Sequence, residues 1–179
     1  FYDALLKARR GAAFGDIFKE TKNTSLAGAL NRNFTFLGDP SFRLAAPEFK
    51  VKLSSKPDTL RALEKVRLQL DVVDDQSGVV QAAFNGIARI AVYDKPTVFR
   101  TLGNQDPPES YSELSSKLFE GNVTVQNGKM ICEFIMPKDI DYRLGMGRIS
   151  IYAVSADSLT DAGGQLDVVI GGSGAMNTD

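Results

Sequence analysis

Residues 123–136 read VTVQNGKMICEFIM, which is two alternating apolar runs on either side of an Asn-Gly pair. Asn127 and Gly128 are residue types that tolerate positive φ at both central positions of a type I′ turn, which joins neighbouring antiparallel strands. Apolar residues at every second position place one face of each strand in a core. The stretch therefore predicts a β-hairpin.

The same period of two recurs from Pro47 to the end of the chain. Val66, Leu68, Leu70 and Val72 alternate with polar residues, as in a half-buried strand. We expect Thr59–Lys65 to lead into this strand, with one helical turn as the alternative, and residues 103–116 to form a long loop. The further predicted strands are Phe49–Leu53, Ile87–Tyr93, Val98–Leu102, Met130–Met136, Gly147–Ala156 and Asp167–Ile170. About seven or eight short strands separated by turns predict a mainly β fold, an immunoglobulin- or fibronectin-like antiparallel β-sandwich.

Residues 1–45 have a different, helical period. Small and apolar residues recur every three or four positions between Ala4 and Ala12, and Phe14, Ile17, Phe18 and Thr21 share one face of a second helix. A third short helix is predicted near residues 26–30. Asn33–Leu37 then predicts an extended segment, which ends in a turn at Gly38-Asp39-Pro40. A short helical segment is therefore expected before the sandwich.

The composition excludes several classes of chemistry. Lys and Arg number 21 against 22 Asp and Glu, so the net charge is -1 and the basic excess that a nucleic-acid partner requires is missing. The sequence contains no run of about 18 apolar residues, so no transmembrane segment is predicted. The sequence has no His, which excludes a Ser-His-Asp triad or a Cys-His dyad within this chain. Its single Cys excludes an intrachain disulfide, and no cofactor is predicted.

Residues 31–44, which contain Phe34-Thr35-Phe36-Leu37-Gly38-Asp39-Pro40, resemble the segment that closes the catalytic domain of gingipain-like cysteine peptidases. The continuation resembles the PorU-like sortases of the type IX secretion system, and the likeness extends over nearly the whole chain. The further matching segments are Pro47, Phe49–Leu53, Asp58–Leu60, Ala62-Leu63, Val66, Val72–Asp74, Phe84–Gly86, Asn127–Lys129, Met136–Ile140, Gly147–Ala153 and Val169–Gly172.

The resemblance implies a function for a longer protein of which this chain would be a C-terminal fragment. Such sortases remove C-terminal sorting domains from secreted cargo and attach the cargo to anionic lipopolysaccharide on the surface of a Gram-negative bacterium. Residues 1–45 would be the last helices and last strand of a caspase-like α/β domain, 46–172 an immunoglobulin-like sandwich, and 173–179 a linker. The catalytic His and Cys would lie upstream of Phe1. The implied partners are this upstream catalytic domain and an outer-membrane component of the secretion system.

A few residues of this chain invite a catalytic or metal-binding interpretation. Cys132 alternates with Met130 and Phe134 on an apolar face, so we interpret it as a buried thiol and assign no catalytic residue. Asp71, Asp74 and Asp75 are weak calcium candidates near a turn, because calcium prefers several oxygen ligands. Asp39 in Gly38-Asp39-Pro40 is interpreted as a structural turn residue, since Asp before Pro commonly bonds the local backbone.

Two other functions remain open from the residues alone. A surface adhesin or carbohydrate-binding sandwich would require an exposed aromatic platform or a bound calcium, and the chain has five Tyr and no Trp to offer. A small enzyme that uses two carboxylates would require them to face each other across a groove.

Overall fold

The computed structural model describes residues 11–24, 33–104 and 106–174. The chain divides into two compact units, Phe1–Ala46 and Pro47–Asp179. Of the helix predicted near Ala4–Ala12, only residues 11 and 12 are described, and neither is helical. The short helix predicted near residues 26–30 lies outside the described residues.

The described part of the first unit contains one helix, α1, from Phe14 to Thr24. Asp16 in the first turn and Lys22 in the last turn carry the charges that the helix dipole favours at each end. Ile17 is buried, and the ring of Phe18 packs against that of Phe36 at 5.7 Å. The helical prediction for this stretch is confirmed. The segment predicted to be an extended strand, residues 33–37, joins no strand ladder in the described part of this unit.

The second unit is built from β-strands, as the period-two pattern predicts. Within the described residues they are Phe49–Ser55 (β1), Thr59–Ala62 (β2), Lys65–Val73 (β3), Gly86–Tyr93 (β4), Thr97–Arg100 (β5), Ser110–Glu113 (β6), Lys117–Val125 (β7), Lys129–Ile135 (β8), Gly145–Ser155 (β9) and Asp161–Ser173 (β10). The mainly β prediction is confirmed.

The strands form two layers that enclose one core. One layer has the order β7-β4-β9-β10, and the other has the order β1-β3-β8. The two layers are continuous in one hydrogen-bonded sheet, because the first residues of β10 pair with β1. The last residues of β10 pair with β2. Alternate residues of β3 and β8 face inward, so the core fills with aliphatic side chains. The largest fully buried side chains are Leu60, Leu68, Leu70, Ile90, Met136, Ile149 and Ile170.

The type I′ turn predicted at Asn127-Gly128 is confirmed, but the predicted hairpin is not. Both residues have positive φ, 51° and 73°, and the flanking residues Gln126 and Lys129 exchange two backbone hydrogen bonds of 2.9 Å each. Beyond this single bridge β7 and β8 form no ladder, so the turn joins a strand of one layer to a strand of the other. Phe119 and Phe134 then stack across this side of the sandwich with ring centroids 4.1 Å apart.

Three details of the sandwich differ from the predictions. Thr59–Ala62 is a strand of its own, and it pairs in parallel with β10, as β1 also does, so the pairing is not wholly antiparallel. Residues 103–116 are not all loop, because β6 pairs with β5. Strand β10 runs from Asp161 through Ser173, whereas the prediction gave Asp167–Ile170 and began the linker at Ser173. Gly163 and Gly164 interrupt the strand pattern in the first half of β10, so the sequence did not predict that half. Residues 175–179 lie outside the described residues.

Candidate functional site

Cys132 lies inside the core of the sandwich. Its side chain is 1% exposed, and its residue pairs with Leu68 of β3 in the antiparallel ladder. Burial raises the pKa of the Cys132 thiol to about 11, from an ordinary value of 9.0. A nucleophilic cysteine requires a lowered pKa and access for its substrate, and this thiol has the opposite environment. The geometry makes Cys132 a packing residue.

The predicted calcium candidates make separate, local interactions. Asp74 Oδ1 accepts hydrogen bonds from Ser77 N at 2.7 Å, Ser77 Oγ at 2.8 Å and Gln76 N at 3.1 Å. The bonds from Ser77 lower the pKa of Asp74. Asp75 pairs with Lys50 at 2.5 Å, and Asp71 lies opposite Lys129 in the β3–β8 ladder. In the described ranges, no group of three or more acidic or Cys side chains is placed to hold a metal ion.

Gly38, Asp39 and Pro40 form a turn that supports the start of α1. Asp39 Oδ1 accepts hydrogen bonds from Ser41 N at 2.8 Å and Ser41 Oγ at 2.7 Å, which lower the pKa of this carboxyl group. The Pro40 carbonyl accepts a hydrogen bond from Gly15 N at 2.9 Å, which satisfies one of the free amides at the beginning of the helix. The motif contributes to structure through these bonds.

A cavity of about 410 Å³ opens at one end of the sandwich, between the β3–β4 and β9–β10 connections. Ser155 is its most buried polar lining residue, and its hydroxyl donates to Asp157 Oδ1 at 2.6 Å and accepts from Thr160 N at 3.0 Å. This bond and one from Leu159 N lower the pKa of Asp157. The bonds among Ser155, Asp157 and Thr160 thus hold the β9–β10 turn together.

The connection between β4 and β7, residues 94–116, carries an exposed ribbon, and we call this connection the arm. Strands β5 and β6 form a separate two-stranded ribbon within it, and all eight of their residues are exposed. The rings of Phe99 and Tyr111 stack at 5.7 Å, and Val98 is 68% exposed. The sequence predicts β5, as Val98–Leu102, but it misses β6, because a strand of four exposed and mostly polar residues gives no clear period.

A buried ion pair lies at the base of the arm and was also missed. Asp94 is 8% exposed and Lys95 is 14% exposed, and their charged atoms are 2.7 Å apart. The sequence Asp94-Lys95-Pro96 indicates only a break after β4. Because Asp and Lys are common in surface turns, composition could not reveal that these two side chains are buried.

Comparison with known proteins finds no matching family model and no matching curated protein. Among solved structures, the chain is similar to dimeric latent PorU from Porphyromonas gingivalis, with 27% identity and a TM-score of 0.63. The similarity covers all of this chain and 18% of the PorU chain, so this chain spans about a fifth of the length of PorU.

Weaker likenesses carry no functional argument. The sporulation control protein Spo0M from Bacillus subtilis matches with a TM-score of 0.42 and 14% identity over 72% of this chain and 50% of Spo0M. The PKD domain of an M14-like peptidase from Thermoplasmatales archaeon SCGC AB-540-F20 matches with a TM-score of 0.33 and 9% identity, over 70% of this chain and 99% of that domain.

The PorU similarity has a direct structural consequence. It extends over both compact units of this chain, and it is supported by sequence identity as well as by backbone geometry. The chain is therefore similar to one region of a much longer protein. Among the described residues, no helix is long and apolar enough to span a membrane.

Proposed function

We propose that this chain is a non-catalytic region of a PorU-like cysteine peptidase and sortase of the type IX secretion system. The parent protein would cleave C-terminal sorting domains from secreted cargo and attach the cargo to the cell surface. The sandwich, residues 47–174, would support and orient the catalytic domain. Residues 1–46 would be the end of that caspase-like domain.

The observation that carries the proposal is the similarity to PorU over the full length of the chain. Two properties of the residues support the non-catalytic part. The sequence contains no His, and its single Cys is buried with a pKa of about 11. A cysteine peptidase requires a thiolate and a general base within hydrogen-bond distance of each other. This chain would therefore depend on a dyad supplied by another part of the parent.

The location and partners follow from the same proposal. The parent would act on the outer face of the outer membrane of a Gram-negative bacterium, where it would meet a partner of the type IX secretion system. Within the parent, the first partner of this chain would be the catalytic domain that precedes it. Support for the location comes from the PorU similarity.

Activity assays test the non-catalytic assignment. We expect the 179-residue chain to cleave no cargo that carries a sorting domain, and to leave a thiol-directed peptidase probe unreacted. We expect the parent protein with Cys132→Ala to retain cleavage and transpeptidation at the level of the unaltered parent. Cleavage by the isolated chain, or loss of the parent's activity in Cys132→Ala at unchanged abundance, would contradict the proposal.

A further inference from the structure

The Asp94–Lys95 pair occupies an unusual position for two charged residues. Each side chain is largely removed from water, although both belong to an exposed connection. Asp94 also closes the base of the arm, because its backbone N–H donates to the Ser116 carbonyl at 2.9 Å. The pair therefore lies where the arm leaves the sandwich.

All three protons of the Lys95 ammonium group have acceptors. Nζ donates to Asp94 Oδ1 at 2.7 Å, to the Asp141 carbonyl at 2.7 Å and to the Ile170 carbonyl at 3.4 Å. Asp94 Oδ2 in turn accepts from Asp141 N at 3.2 Å. These hydrogen bonds connect the arm to two other segments. Hydrogen bonds to charged groups are stronger than those between neutral groups.

Those two segments are the β8–β9 connection and the end of β10. Gly145 makes room for the lysine stem, because a Cβ atom there would lie 2.5 Å from Lys95 Cδ. Gly172 N donates to the Tyr142 carbonyl at 2.9 Å, so the end of β10 is also bonded to the β8–β9 connection. The base of the arm, this connection and the end of β10 form one hydrogen-bonded unit.

Stability alone is a weak reason to bury such a pair. Removing two charges from water is unfavourable, and apolar residues of similar volume often stabilise a fold as well or better. Buried polar groups can instead select one arrangement among several. The directional bonds of Lys95 to two separate segments are suited to that second role.

We propose that the Asp94–Lys95 pair is a joint that sets the direction of the arm and couples it to the end of β10. Displacement of Ile170–Gly172 removes one acceptor of the ammonium group and loosens the arm. Conversely, movement of the arm displaces the end of β10. This inference goes beyond the proposed function and does not depend on it.

The first test measures the direction of the arm in the 179-residue chain. Nitroxide labels are placed at Leu102→Cys in the arm and Lys52→Cys in β1, in a Cys132→Ala background, and their distances are measured by pulsed electron resonance. The double variant Asp94→Asn/Lys95→Met removes both charges, so that no carboxylate is left buried without its cation. We expect the distance distribution to broaden by about twofold, because the charge-assisted bonds at the base are lost.

The matched control is Lys65→Met/Glu133→Gln, which removes the exposed ion pairs of Glu133 with Lys65 and with Arg67, each at 2.9 Å, in the three-stranded layer. It should leave the distribution unchanged, and circular dichroism should show that both variants are folded. If the Asp94–Lys95 pair only stabilises the fold, its double variant will melt at a different temperature but keep the narrow distribution. That result would overturn the proposal.

The second test perturbs the other end of the joint. In Gly171→Ala the new Cβ would lie 2.6 Å from the Arg143 carbonyl oxygen and would displace the end of β10. We expect the arm distribution to broaden in this variant too. Gly164→Ala is the control, because its Cβ would lie 2.6 Å from the Val51 carbonyl oxygen in the same strand but far along it from Ile170. A folded Gly171→Ala chain with a narrow distribution, or equal broadening in Gly164→Ala, would contradict the coupling.

Discussion

At the scale of single residues, the chemistry of Cys132 follows from its burial. With a pKa of about 11, only about one thiol in a thousand is ionised at pH 8. The thiolate is the reactive form, and the side chain is 1% exposed. We expect Cys132 in the native chain to react with a disulfide reagent at pH 8 only as fast as the core around it opens.

Titration with 5,5′-dithiobis-(2-nitrobenzoate) measures this reactivity. One thiol per chain should appear after denaturation in guanidinium chloride, and nearly none before it. Asn104→Cys, in the exposed part of the arm, should show one rapidly reacting thiol in the native state and serves as the control. Rapid reaction of Cys132 in the folded chain would contradict the burial of this thiol.

The carboxyl group of Asp141 makes stability depend on pH. Hydrogen bonds from the Arg143 side chain and backbone lower the pKa of Asp141 to about 2, from an ordinary value of 3.8. Because the unfolded chain binds this proton more readily, the contribution of Asp141 is present above pH 4 or so and is lost as the pH falls toward about 2.

Denaturation midpoints measured between about pH 2 and pH 4 test whether Asp141 contributes to stability in this way. Asp141→Asn should flatten the acid side of the stability curve, whereas Asp106→Asn, in the exposed arm, should not. An unchanged acid slope in Asp141→Asn would mean that the pairing with Arg143 does not persist in solution.

At the scale of elements, the turn between β7 and β8 depends on a single glycine. Gly128 has a φ of 73°, and a Cβ atom there would lie 2.5 Å from the Gln81 carbonyl oxygen. We expect Gly128→Val to lower the free energy of unfolding by about 1–3 kcal/mol, because a β-branched residue is strained at positive φ. Chemical denaturation measures the difference. The control Thr124→Val, at an exposed position of β7, should change the free energy of unfolding by less than about 0.5 kcal/mol. Equal effects in both variants would contradict the assignment of the turn.

The elements differ in how far the sequence could predict them. Strands such as β3 and β8 alternate strictly, because one face is buried and the other is in water, and they were predicted within a few residues. In the ribbon β5–β6, β5 was predicted as Val98–Leu102, but β6 was missed, because it has no buried face and therefore no period of two. Strand β2 was missed for another reason: its parallel partner β10 lies more than 100 residues along the chain, and local sequence contains no sign of that pairing.

The candidate sites could also be predicted only in part from the sequence. The burial of Cys132 follows from its apolar neighbours at every second position, and the Asp39 turn follows from the residue types around it. The Asp94–Lys95 pair depends on carbonyl groups of Asp141 and Ile170, which only the folded chain brings within reach. Backbone acceptors are present in every residue, so their use cannot be deduced from residue type.

At the scale of the whole molecule, the chain combines two compact units, and the similarity to one region of PorU extends over both. The sequence contains no His and the single thiol is buried, so the proposed function of this chain is support of a neighbouring catalytic domain. If the sandwich orients the catalytic domain, the connection between the units at Ala46 and Pro47 must transmit that orientation.

The most direct measurement is therefore cargo transpeptidation by the parent protein after four flexible Gly-Ser residues are inserted between Ala46 and Pro47. The same insertion in the exposed turn between Asp75 and Gly78 is the control, because it changes the length of the chain equally but leaves the connection intact. The account predicts that the first insertion lowers transpeptidation strongly at unchanged abundance and the second does not. Full activity with the insertion at Ala46-Pro47 would contradict it.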